Sequence, residues 1–262
     1  MDQFYLTLPS DSSSKYYPEN TTACFKTKLS NRIDLDGDYE VGLAQFIYPH
    51  SWFNFNNSDK RLFISFRPND EDEKTIRHVF QSGQFPDEKT FVSVLNDWII
   101  TANIFGFTFS WDRRDRRIRL LIGNKNGTIH MSKRLANLLG YEDEGPYEAR
   151  KTSEGLFAQN YEPKYTFDLQ TGLRMIYIYS DVVSYTPVGD KKAPLLRVCV
   201  TEGRYGDMIS NSFTDIHYVS LARSELDTIE IFISNELGKS VPFEFGKTVV
   251  TLHFRRKNKL LL

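Results

Sequence analysis

His50, His78, His130, His217 and His253 are the side chains in this chain best suited to hold a metal or move a proton near neutral pH. No two of them stand two to four residues apart and none is beside a cysteine, so no short element can offer a pair of ligands to one ion. The expectation is no metal and no cofactor. His253 alternates with Leu252 and Phe254 and could face solvent or a neighbouring chain, although a lone strand histidine is far more often structural than a ligand. G-x-S-x-G, the P-loop and G-x-G-x-x-G are absent, and Gly203-Arg-Tyr-Gly206 reads as a turn. The carboxylates at 70–73 and 142–144 sit in polar runs, where solvent leaves them ionised and unremarkable as acids or bases. No enzyme is expected.

Charge and aromatic surface offer three places to meet a partner. Arg113, Arg114, Arg116 and Arg117 form a dense basic run that would bind phosphate if the guanidiniums converged. Strand alternation opposes this, because Arg117 and Arg119 share one face while Ile118, Leu120 and Ile122 share the other. Arg255, Arg256 and Lys257 open a second cluster, which reads as a solvated tail or as an arm that docks on a neighbour or meets DNA weakly. Tyr48, His50, Trp52, Phe53 and Phe55 crowd one loop, where they either cap the core or form a subunit interface. Trp52 and Phe53 also suit the alternative of a carbohydrate-binding, lectin-like sandwich or receptor-attachment module.

The elements that must carry these residues are mostly strands. Ile229, Ile231 and Ile233 alternate with Thr228, Glu230, Phe232 and Ser234, and residues 22–29, 39–48, 174–179, 195–200 and 247–254 repeat the pattern. Pairs at 62–66 with 75–80 and at 106–110 with 118–122 read as hairpins, and shorter strands are expected at 4–8 and near 217–221. Helical spacing replaces the alternation at Phe91, Val94, Leu95, Trp98, Ile99 and Ala102, behind Asp87 and Glu88. A second short helix starts at Ser132 and ends at Gly140. The aromatic content of 14% suits pleated surfaces. The fold class expected is all-β: a single jelly-roll β-sandwich of about eight strands over 1–262, with 81–165 as a helix–hairpin–helix insertion in an α+β arrangement.

With 33 Lys plus Arg against 34 Asp plus Glu, no net field draws the chain to nucleic acid or anionic lipid. Cys24 and Cys199 fall inside alternating strands and read as buried free thiols. No apolar run reaches membrane-spanning length and the start lacks the features of a signal peptide, so no membrane partner is expected and synthesis is placed in the cytosol. The sequons at Asn20, Asn56 and Asn126 are then chance matches.

Several blocks carry a family resemblance over nearly the whole chain. Phe4-Tyr-Leu-Thr-Leu-Pro-Ser10, Tyr39-Glu-Val-Gly-Leu-Ala44 with Tyr48-Pro-His-Ser-Trp52, Asp227-Thr-Ile-Glu-Ile231 and Val241-Pro-Phe-Glu-Phe-Gly-Lys247 with Thr251-Leu-His-Phe254 resemble the minor capsid, or penton, proteins of Polinton (Maverick) elements and adintoviruses. Residues 135–141, Pro194-Leu-Leu-Arg197 and His217-Tyr218 are similar as well. The resemblance implies a structural protein of the virion: a homopentamer at icosahedral fivefold vertices beside a double jelly-roll major capsid protein. It implies synthesis in the host cytoplasm, leaves a nuclear assembly site open, and brings no active-site or ligand residue with it.

Overall fold

The computed structural model describes residues 2–57, 60–69, 74–124, 126–151, 158–167, 169 and 173–257, so the acidic stretch 70–73 and the end of the chain, 258–262, lie outside the described residues. In chain order the elements are β1 (Gln3–Pro9), β2 (Cys24–Asp34), β3 (Tyr39–Pro49), β4 (Phe63–Pro68), β5 (Ile76–Val79), α1 (Glu88–Thr101), β6 (Phe107–Asp112), β7 (Arg117–Ile122), β8 (Gly127–Met131), α2 (Lys133–Leu139) and β9 (Gln159–Tyr161). There follow β10 (Met175–Ser180), β11 (Thr186–Val188), β12 (Lys191–Ala193), β13 (Leu195–Val200), β14 (Met208–Ser212), β15 (Val219–Ser220), β16 (Glu225–Ser234) and β17 (Val249–Arg256). They fall into two compact units, Met1–Trp52 with Leu173–Leu262, and Phe53–Gly172.

In the first unit one sheet runs β1-β17-β3-β14, with β15 also on β3, and the other runs β13-β10-β16-β2. Every pairing is antiparallel, and the pairs nest: β1 with β17, β2 with β16, β3 with β14, β10 with β13. A ribbon of four such pairs rolled into two sheets is a single jelly roll, and the fold is all-β with an α+β segment inserted between the third and fourth strands of the roll. Its core is built by alternation. Ile229, Ile231 and Ile233 are fully buried, while Thr228, Glu230 and Phe232 between them are half-buried on the other face. Each such isoleucine contributes about 2 kcal/mol by leaving water. They meet Phe25, Ile176 and Ile178 of their own sheet and Leu8, Leu43, Phe46, Val250 and Phe254 of the other in one buried cluster.

In β3 the inward positions change phase, from Val41 and Leu43 to Phe46 and Tyr48. The cause is a bulge: Leu252 faces Leu43 and Thr251 faces Gln45, which leaves Ala44 without an opposite number. Both cysteines are free, Cys199 buried and Cys24 partly so. Burial pushes the Cys199 thiol up to about 11.

The second unit holds two three-stranded sheets, β5-β4-β8 and β6-β7-β9, with α1 and α2. Asp87 caps α1 by accepting from the Thr90 amide at 2.7 Å, and the helix buries Phe91, Val92, Leu95, Trp98 and Ile99. It stops where Asn103 takes φ +55° and Ile104 N–H donates back to Ile99 O at 2.9 Å. α2 begins at the Ser132 cap and ends at Gly140, φ +88°, with Tyr141 N–H donating to Ala136 O at 2.8 Å. Two side-chain amides stand in for missing peptide partners. Asn96 of α1 donates to Phe109 O at 2.9 Å and accepts from Phe109 N–H at 2.8 Å. Buried Asn57 donates to the carbonyls of Leu62 (2.9 Å) and Phe80 (2.7 Å) and accepts from Leu62 N–H at 2.7 Å.

The structure departs from the sequence expectations in detail. β8, β9, β11, β12 and β14 were not expected, and the last strand begins at Val249 and continues to Arg256 instead of spanning 247–254. The pair β4 and β5 belongs to the second unit, although both strands precede residue 81.

Candidate functional site

Gly42, in the middle of β3, shapes the outer face of the β1-β17-β3-β14 sheet. A Cβ there would stand 2.4 Å from Ile216 Cγ2 and 2.6 Å from His217 O, so glycine is what allows residues 213–218 to lie directly on the strand. Tyr218 thereby reaches His253, its hydroxyl 2.7 Å from Nδ1. Tyr5 of β1 stacks on the imidazole with ring centres 4.3 Å apart. The Arg255 guanidinium lies 3.4 Å above the Tyr218 ring, and its Nε donates to Glu40 at 2.6 Å. His253 is only 5% exposed. Alternation does turn it to the outer face, but residues 213–218 cover that face and shield the ring from solvent. Burial, and then the Arg255 charge, hold its pKa below the ordinary histidine value.

The aromatic candidates are largely interior. Tyr48 is fully buried and its hydroxyl accepts from Glu202 N–H at 3.1 Å. His50 stacks on Trp52 at 4.1 Å, with Nδ1 2.9 Å from Glu202 O. Trp52 meets Phe243 edge-on and is 5% exposed, so its ring is no open platform for a sugar or a second chain. In the second unit, Phe53 is half-buried and Phe55 is buried among Phe80, Phe85 and Phe91.

The arginine run does not converge. Arg113 and Arg114 are exposed on the β6–β7 turn, with Arg114 Nε 3.6 Å from Asp112. Arg116 points to Glu88 at 3.8 Å, and Arg117 donates to Lys164 O at 3.1 Å. Arg119 binds Asp115, Glu162 and Asp112, and the first two of these hold its guanidinium charged. Interleaved carboxylates thus offset much of the charge that phosphate would need. Arg255 and Arg256 are β17 residues paired with Glu40 and Tyr39 of β3, and Lys257 donates through its amide to Asp38 O and through Nζ to Ser220 Oγ, each at 2.8 Å. The backbone is thus held to the sheet as far as residue 257, while all three side chains stay exposed to solvent. The cause is that β17 keeps pairing through its basic end.

Concavities occur among the described residues of both units. On the outer face of the β13-β10-β16-β2 sheet a groove of about 480 Å³ is lined by Tyr179, Val183, Tyr185, Pro194 and Phe232, with Asp181 and Glu230 beside them. In the second unit a polar pocket of about 480 Å³ includes Tyr141, Tyr147, Tyr161, Glu142, Lys133 and Lys164. Glu142 is paired with Lys164 at 2.6 Å, and the hydroxyl of buried Tyr141 lies 2.9 Å from Ile118 O, so these groups fasten the local backbone. Burial pushes the Tyr141 hydroxyl well above its usual range. Among the described residues no group of three His, Cys, Asp or Glu is placed to hold a metal, and no helix is long and apolar enough to cross a membrane.

The Tyr5–His253–Tyr218–Arg255–Glu40 cluster was not found from sequence spacing, since its members come from separate segments. One signal was present: a glycine in a strand interior marks a close backbone approach.

No protein-family model and no curated protein matches the sequence. Among solved structures, the fold is similar to the crystal structure of selenomethionine-labelled mavirus penton protein, with a TM-score of 0.53 at 12% identity over 97% of this chain and 99% of that chain. A chain in the cryo-EM structure of the Sputnik virophage gives a TM-score of 0.48 at 12% identity over 98% of each chain.

Proposed function

We propose that this chain is a structural, non-catalytic capsid subunit: a penton, or minor capsid, protein of the kind carried by Polinton (Maverick) elements and adintoviruses. It assembles as a homopentamer at the fivefold vertices of a virion, beside a double jelly-roll major capsid protein. The observation that carries the reading is the end-to-end likeness to the mavirus penton protein, which takes in 97% of this chain and 99% of that one. Both the jelly roll and most of the 53–172 segment fall within so large a share.

The physics of the first unit supports the same reading. A ring needs a head-to-tail contact between two unlike patches on each subunit. The β2 edge is closed by its own chain, since the Asn20 amide bonds to both Lys26 N–H and Lys26 O, and Ser13 Oγ accepts from Lys28 N–H. The β13 edge instead presents Val198 and Val200 to solvent, with Met175 opposite Val200. Unlike edges of this sort suit rotation into a closed ring. DNA contact through Arg113, Arg114 or the basic end of β17 is a weaker, secondary part of the proposal.

Native mass spectrometry of the purified full chain tests it. Five copies of the 30.5 kDa protomer in one discrete species are expected. A monomer at every concentration, which also stays out of shells formed by a double jelly-roll major capsid protein, would overturn the reading.

A further inference from the structure

We propose that His253 is an acid-sensitive latch: as a neutral imidazole it holds strand β1 and residues 213–218 on the outer face of their sheet, and on protonation it lets them go. The proposal does not depend on the capsid reading, because it rests on the geometry of one unit in one chain.

Three segments meet at this ring. β1 supplies Tyr5, stacked at 4.3 Å. Residues 213–218 supply Tyr218, 2.7 Å from Nδ1. β17 supplies His253 itself and Arg255, two residues on and therefore on the same face. β3 places Gly42 opposite His253 and brings in Glu40. The imidazole is 95% removed from solvent by this arrangement, and its Nε2 has no hydrogen-bond partner among the described residues.

The neutral ring tolerates such a place better than the cation does. With either nitrogen protonated, Tyr218 satisfies Nδ1, and Nε2 is left with one unpaired donor or lone pair. The imidazolium must carry an N–H at both nitrogens and a charge in a site lined by two rings. The full positive charge nearest along the strand is Arg255. Glu40, the carboxylate that could compensate, already accepts from Arg255 at 2.6 Å. Asp215 and His217, 4.0 Å apart, are exposed within the covering segment, and Lys257 is turned to Ser220. The folded state therefore disfavours the proton more than the unfolded chain does. Stability from this site is fully present above the unfolded histidine value of 6.5 and is lost as pH falls through the depressed folded value.

Hydrogen exchange followed from about pH 8 to about pH 5 tests the latch. In the wild-type full chain, after correction for the intrinsic pH dependence of exchange, protection of amides in β1 and 213–218 should fall about tenfold for each unit by which the folded pKa lies under 6.5. In His253→Phe, which keeps a stacking ring and cannot titrate, the same amides should show no acid-dependent loss. Equal acid profiles for the two proteins, or a flat profile in the wild type, would overturn the proposal. If His253→Phe does not fold, the His253 pKa is read by NMR in the wild type: a value below 6.5 supports the latch, and a value at or above it refutes it.

Discussion

Gly140→Ala should be among the most damaging single-methyl additions to the second unit. Gly140 ends α2 at φ +88°, a left-handed conformation that costs an L-residue roughly 1–2 kcal/mol. The added Cβ would also stand 2.1 Å from Tyr165 O and 3.3 Å from Pro163 Cβ. The nearer atom is backbone, and Tyr165 N–H is itself bonded to Gly140 O at 3.0 Å, so relief requires the 163–165 segment to move. Overpacking of that kind costs about 1–3 kcal/mol, which brings the whole effect to about 2–5 kcal/mol. Gly83→Ala is the control, because its Cβ meets nothing within 4 Å and its φ is not positive; it should be neutral within about 0.5 kcal/mol. Trp98 and Trp111 both lie in this unit, so urea titration by tryptophan fluorescence in a Trp52→Phe background reports on it alone. A loss under about 1 kcal/mol for Gly140→Ala, or one equal to the control, refutes the reasoning.

Asn57→Leu should cost about 2–4 kcal/mol in the same titration, because Leu62 N–H and the carbonyls of Leu62 and Phe80 lose their buried partner; a near-neutral result would mean that those groups find other partners. Asp87 accepts from Thr90 N–H and Oγ1–H, and these bonds hold its carboxyl below the ordinary value of 3.8. A depressed folded pKa gives stability that is present above the unfolded value and lost as pH falls through the folded one. Amides in the first turn of α1 should therefore lose exchange protection in acid, and Asp87→Asn should flatten that dependence. Cys199, with its thiol pushed up to about 11, should react with a disulfide reagent at about pH 8 far more slowly in the native protein than after unfolding; native reaction at the rate of a free thiol would contradict its burial.

Where one side of an element decided its structure, the sequence was readable. Ile229, Ile231 and Ile233 announced β16 because one sheet face is buried and the other is not, and Asp87, Ser132 and Gly140 marked helix ends through local backbone chemistry. β14 escaped notice because Met208-Ile-Ser-Asn-Ser212 buries little, so its pairing to β3 leaves almost no hydrophobic trace. The inward shift from Leu43 to Phe46 required the bulge at Ala44, and a strict two-residue period cannot express it. The site was less legible than the fold. Alternation put His253 on the correct face, but its burial is set by residues 213–218, some 35 positions away, brought down over Gly42. The same limit applies to the arginine run, whose charge is offset by Glu88 and Glu162 from other segments.

The nested pairing also sets a timetable for synthesis. β10 and β13 can join soon after both leave the ribosome, but Gln45 and Ser210 of the next pair are 165 residues apart, and Thr7 and Thr251 of the outermost pair are 244 apart. At about 5–20 residues per second, β1 spends roughly 10–50 s in the nascent chain before its hydrogen-bonding neighbour exists. During that interval Phe4, Leu6 and Leu8 form an unshielded apolar edge, while the contiguous 53–172 segment already has all its own residues. The roll therefore closes from the inside outward, and its first-made strand is the last to be seated.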